Sequence, residues 1–91
     1  MTVTKIVSIG PRKFAVEVTE GHQRTDHRVT VPEAFDEELG LAGIDPELIV
    51  RESFGFLLER EPATSILRAF SLADISRYFP EYRKELLRRL G

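Results

Sequence analysis

Polar and apolar residues alternate at the start of the chain and group into wider stripes later. Thr2 to Ile9 is rich in β-branched residues and predicts a strand. Gly10-Pro11 marks a turn. Lys13 to Glu20 alternates with period two: Phe14, Val16 and Val18 face one way, and Lys13, Ala15, Glu17 and Thr19 the other. After a polar loop, Gly21 to Thr25, the segment Asp26 to Val31 alternates again, with Val29 and Val31 inward and Arg28 and Thr30 outward. These runs predict a three-stranded antiparallel meander with one wet face, which needs a cover on its apolar side.

Beyond Val31 the period becomes helical. Pro32 to Gly40 predicts a short helix with Phe35 and Leu39 on one face and Gly40 just past its end. Asp45 to Pro62 is the strongest helix signal, with Asp45 as N-cap, Pro46 in the first turn and Pro62 as a stop. Its apolar residues form two adjoining stripes, Val50-Phe54-Leu57-Leu58 and Ile49-Phe56 with Ser53 between, so the helix is buried on more than one side or carries a partner surface. Phe54 and Leu57 are expected to be structural. Gly55, between two phenylalanines, implies close packing against another backbone, a bend or a partner contact, and a larger side chain there is expected to clash. Thr64 or Ser65 would cap a short helix carrying Ile66, Leu67 and Phe70. Ser71 and Asp74 form a capping-box pattern ahead of Leu72, Ile75 and Phe79. Pro80 to Leu90 repeats Tyr82, Leu86 and Leu90 at i+4.

The pattern thus predicts a single α+β domain over residues 1–91: a three-stranded antiparallel N-terminal sheet (1–31, a β-meander) followed by three to four helices packed on one face (32–91). A chain of 91 residues suits one domain with a modest core. There is no cysteine, so disulfides and thiolate metal sites are excluded. No apolar run is long enough to cross a membrane, and the first residues lack the pattern of a signal peptide, so the expected compartment is the cytoplasm. Arginine outnumbers lysine ten to three, the bias expected of a GC-rich bacterial genome. Residues 31–62 carry nine acidic and two basic groups, and residues 63–91 carry three acidic and six basic. The two parts are expected to attract each other within the fold, with an acidic or nucleic-acid partner as the sharper alternative.

Chemistry is sparse. His22 and His27, beside Asp26, are expected to be solvated in or near a loop. No catalytic residue, metal or cofactor is expected, because no phosphate-cradling loop, zinc-protease helix or nucleophile elbow is present. The aromatics are concentrated in the C-terminal half. The segment Arg77 to Arg83 sets three aromatics between arginines, and not all can point inward. Arg77, Tyr78, Tyr82 and Arg83, with the exposed side of the central helix, are therefore a candidate surface for a protein partner or for self-association as a homodimer.

Two resemblances follow. Residues 27–60, with the strand RVTV, Pro32, a short acidic helix, a turn and a longer helix DPELIVRESFGFLL, resemble a ribbon-helix-helix DNA-binding unit. That resemblance implies a dimeric regulator or antitoxin whose paired strands enter the major groove through Arg28 and Thr30. Asp26 and the two preceding strands depart from its pattern. The run VPEAF, RESFGFLLEREPATSIL and ISRYFPEY, between Val31 and Tyr82, also resembles a family of small uncharacterised bacterial proteins, and implies no activity. The favoured expectation is a non-catalytic protein-interaction or homo-oligomerising module, with nucleic-acid binding second.

Overall fold

The computed structural model describes residues 2–91. Three long strands come first: β1 (Thr2–Gly10), β2 (Lys13–Glu20) and β3 (Gln23–Thr30). They pair antiparallel in chain order, as the alternation predicts. The hairpin after β2 has a two-residue turn, with Gly21 at φ 59° in the positive region that such turns require. The third strand therefore begins at Gln23, within the stretch expected to be loop.

The first turn is less ordinary. Pro11 and Arg12 link Gly10 to Lys13, and Arg12 sits at φ 56°, where glycine or asparagine is usual. Its side chain holds it there. Nε donates to the Val31 carbonyl at 2.9 Å, and Nη2 donates to the Pro32 carbonyl at 3.0 Å and to Asp36 Oδ1 at 2.7 Å. One guanidinium thus ties the β1–β2 turn to the end of β3 and to the first helix. Arg12→Ala keeps the strained backbone and loses every tie, so it is expected to cost about 1–3 kcal/mol. Arg12→Gly loses the same ties but relaxes the backbone, and should be the more stable of the two in urea denaturation.

The helices are α1 (Phe35–Glu38), α2 (Pro46–Leu58), α3 (Ile75–Tyr78) and α4 (Tyr82–Leu90). The helix expected over Pro32–Gly40 is a single turn. It closes as the sequence indicates: Gly40, at φ 71°, donates to the Glu37 carbonyl, and Leu41 N–H reaches back to Asp36 O. In α2, Asp45 accepts from Glu47 N–H at 2.9 Å and Pro46 occupies the first turn. Ile49, Val50, Ser53, Phe54, Phe56 and Leu57 are all buried, which accounts for the double apolar stripe. Gly55 lies against the Arg89 side chain of α4, whose Nη1 would be 3.3 Å from an added Cβ. The close neighbour is thus the end of a flexible side chain rather than a backbone, so a methyl group there needs only a small shift.

The helix expected over residues 64–70 does not form. Ala63–Ser65 makes one 3-10 turn, and Ala69–Ser71 is a strand, β4, lying parallel to β3 with Val29 opposite Phe70. The fold is therefore α+β with a four-stranded mixed sheet, ordered β1-β2-β3-β4, and four helices. Ser71 and Asp74 do form the capping box, which opens a 3-10 turn (Leu72–Asp74) running into α3. The core joins Ile6, Phe14, Val16, Val18 and Val29 of the sheet to the buried residues of α2, with Leu72, Ile75, Tyr82 and Leu86. The opposite sheet face, carrying Lys5, Glu17, Asp26 and Arg28, is open.

Candidate functional site

The C-terminal end of α2 and the chain that follows it leave a groove. Pro62 is extended (ψ 155°) and Ile66 likewise (ψ 134°), so the chain crosses beside α2 as an open strap before joining the sheet as β4. The capping box then turns it sharply into α3. Between strap, α2 and α3 lies a cavity of about 290 Å³. Buried Leu57, Ile66 and Ile75 contribute apolar lining, and half-buried Phe70 and Phe79 add aromatic edges. Two large apolar side chains stand in the open at its mouth: Leu67 is 53% exposed and Tyr78 67%. Glu61 and Asp74 also line it. Asp74 Oδ2 accepts the Ser71 N–H at 3.1 Å, while Glu61 has no ion-pair partner among the described residues. The groove is thus apolar with acidic groups on its border.

The sequence-predicted residues separate here. Tyr78 lines the groove, and Arg77 on α3 and Arg83 on α4 are exposed. Tyr82, four residues after Tyr78, is fully buried and presents nothing to solvent. Its ring packs on Phe56 and Phe35. Its hydroxyl lies 2.6 Å from Ser53 Oγ, which in turn donates to the Ile49 carbonyl at 2.7 Å. Because the serine proton is used on Ile49, Tyr82 is the donor. Burial pushes the Tyr82 pKa above its ordinary value, opposed in part by the Arg83 charge. Proline explains the split: Phe79 leaves α3 with extended angles and Pro80 restarts the chain, so Tyr82 opens a new helix with its own inward face.

Arg28 and Thr30 are exposed on the open sheet face. Their strand is flanked on both sides, by β2 and by β4 at Arg28–Thr30. The ribbon of a ribbon-helix-helix dimer needs that edge free, and here it is taken. Arg28 and Arg68 share a cleft with Lys5, but Glu17 and Asp26 lie in the same cleft and offset much of the charge.

His27 corrects an expectation. It is buried rather than solvated, because it lies on the inner face of β3 opposite Val16. Nδ1 donates to the Leu67 carbonyl at 2.8 Å, Nε2 lies 2.9 Å from Thr25 Oγ1, and the ring packs on Phe54 at 5.5 Å. It ties the strap to the sheet. The inward alternation Thr25-His27-Val29 was the signal available for it. His22 is exposed. Among the described residues no group of three or more His, Asp or Glu side chains converges as a metal site, and no helix is long and apolar enough to cross a membrane.

The acidic middle and basic C-terminal part do meet. Arg89 pairs with Glu59 in that sense, while Arg60, 3.6 Å over the Phe56 ring, pairs with Glu81 in the opposite one. The Arg89 hydrogen bond lowers the Glu59 pKa. These links join the end of α2 to α4.

No family model, curated protein or solved structure matches this chain.

Proposed function

We propose that the protein is a non-catalytic interaction module, and that the groove at Tyr78 receives an apolar side chain from a protein partner, flanked there by lysine or arginine. The observation that carries this reading is the pair Leu67 and Tyr78, held in the open at the mouth of an apolar cavity. Large apolar side chains gathered around an apolar concavity, rather than scattered singly, are the arrangement of a binding surface. The cavity is large enough for one bulky side chain. Glu61 and Asp74 give it a negative border, which favours cations next to the inserted residue.

A peptide array tests this directly. Leucine-, methionine- and phenylalanine-centred peptides flanked by arginine would be probed with the full chain, beside matched peptides flanked by glutamate. The arginine-flanked set should be retained preferentially. Tyr78→Ala and Leu67→Glu should each lower retention about tenfold with the thermal midpoint unchanged, the size expected for one interface anchor. Equal retention of both peptide sets, or full retention by Leu67→Glu, sinks the reading.

A further inference from the structure

The far edge of the sheet carries a second, independent surface. β1 is an edge strand along its whole length, since the sheet order places only β2 beside it. Two hydrogen bonds fix which of its backbone groups are free. Val31 N–H donates to the Arg12 carbonyl and Arg28 N–H to the Arg68 carbonyl. Bonding direction alternates along an antiparallel ladder. Phe14, Val16 and Val18 therefore bond toward β3, and Ala15, Glu17 and Thr19 toward Val7, Lys5 and Val3 of β1. Thr4, Ile6 and Ser8 are left with their N–H and C=O groups pointing out of the sheet. On that side Arg51 of α2 donates a long hydrogen bond, 3.5 Å, to the Thr4 carbonyl, which a pairing strand would displace. Such an edge is a template for another strand.

The side chains make it self-complementary. On the open face Val3, Val7 and Ile9 are 53%, 48% and 50% exposed, with Lys5 the one charge among them. We propose that two copies of this chain pair antiparallel along β1, with Ile6 on the two-fold axis. That register sets Val3 opposite Ile9 of the second copy, Thr4 opposite Ser8, and Lys5 opposite Val7. Sliding the pairing by two residues one way sets lysine directly against lysine, which is unfavourable. Sliding it the other way runs Thr4 onto Gly10, past the bulge that interrupts the strand between Ser8 and Gly10. The register centred on Ile6 alone pairs the full run Val3 to Ile9 and keeps the lysines apart. The product is one continuous sheet of eight strands, a size open sheets commonly reach.

Light scattering behind a sizing column tests this on the full chain from about 10 μM to about 1 mM, a range in which a millimolar Kd still registers. The mean mass is expected to rise with concentration across it, toward that of the dimer. Val7→Lys places each new cation opposite Lys5 of the other copy and should raise the dimer Kd about tenfold. Val7→Glu places a carboxylate there and should leave the Kd unchanged or lower. Thr4→Pro removes an outward N–H that β2 does not use and should give monomer with β-sheet circular dichroism retained. Tyr78→Ala should leave the Kd unchanged, so failure of the groove reading and failure of this one are distinguishable. A parent chain that stays monomeric to 1 mM overturns the proposal. So does a dimer that Val7→Lys and Val7→Glu affect alike.

Discussion

Phe54→Ala is expected to remove about 3–5 kcal/mol of folding stability, a large share of the roughly 5–15 kcal/mol available to a domain of this size. Phe54 is completely buried. Its ring meets His27 of β3 at 5.5 Å and Phe70 of β4 at 6.0 Å. One side chain of α2 thus holds the parallel edge of the sheet, and β4 has only three residues of its own. Alanine leaves a cavity where helix, strand and strap converge, and the His27 bond to Leu67 O cannot fill it. In urea the midpoint should fall sharply with little change in slope. Native-state hydrogen exchange should show the amides of β4 losing protection ahead of those of β2. A stability loss under about 1 kcal/mol would mean the core closes over the site and α2 is not the organising element.

Tyr82 is expected to give the second large effect, through both size and pH. Tyr82→Ala should cost about 3–5 kcal/mol, because the ring is fully buried between Phe56 and Phe35. Tyr82→Phe should cost only about 1 kcal/mol, since it keeps the ring and Ser53 keeps its bond to the Ile49 carbonyl. The pH dependence follows from the raised pKa. The folded chain holds a proton that the unfolded chain releases near the ordinary tyrosine value of about 10. Stability is therefore complete below about pH 10 and falls as the pH rises above it. Tyr82→Phe has no proton to lose and should flatten that alkaline decline. Parallel slopes for parent and variant between about pH 9 and 11 would contradict this account of the hydroxyl.

Much of the architecture is written locally. The alternation of Phe14, Val16 and Val18 gives β2 its inner face, and Asp45-Pro46 starts α2. Gly40 closes α1, and Ser71 with Asp74 caps the turn before α3. What stayed hidden is set by long-range contact. β4 is too short for a period to show, and it is a strand because Arg28 N–H finds Arg68 O forty residues away and Phe70 finds Phe54. The histidine at 27 reads as polar until its strand register turns it inward. In the candidate site, the aromatic cluster at 77–83 was visible, but its division was not. Tyr78 and Tyr82 are i and i+4, which on one unbroken helix would share a face. Pro80 breaks the helix between them and sends one tyrosine out and the other in. Leu67 completes the groove only because the chain around it is a strap, and a helix over 64–70 would have placed it differently.

The measurement closest to the central claim is an NMR titration of the full chain with an arginine-flanked, leucine-centred peptide. If the groove is the binding surface, the amide shifts should concentrate at Ile66, Leu67, Phe70, Tyr78 and Phe79, and Leu67→Glu should need about tenfold more peptide to reach them. Shifts confined to exposed charges such as Arg83 and Lys84, or an unchanged spectrum at saturating peptide, would contradict it.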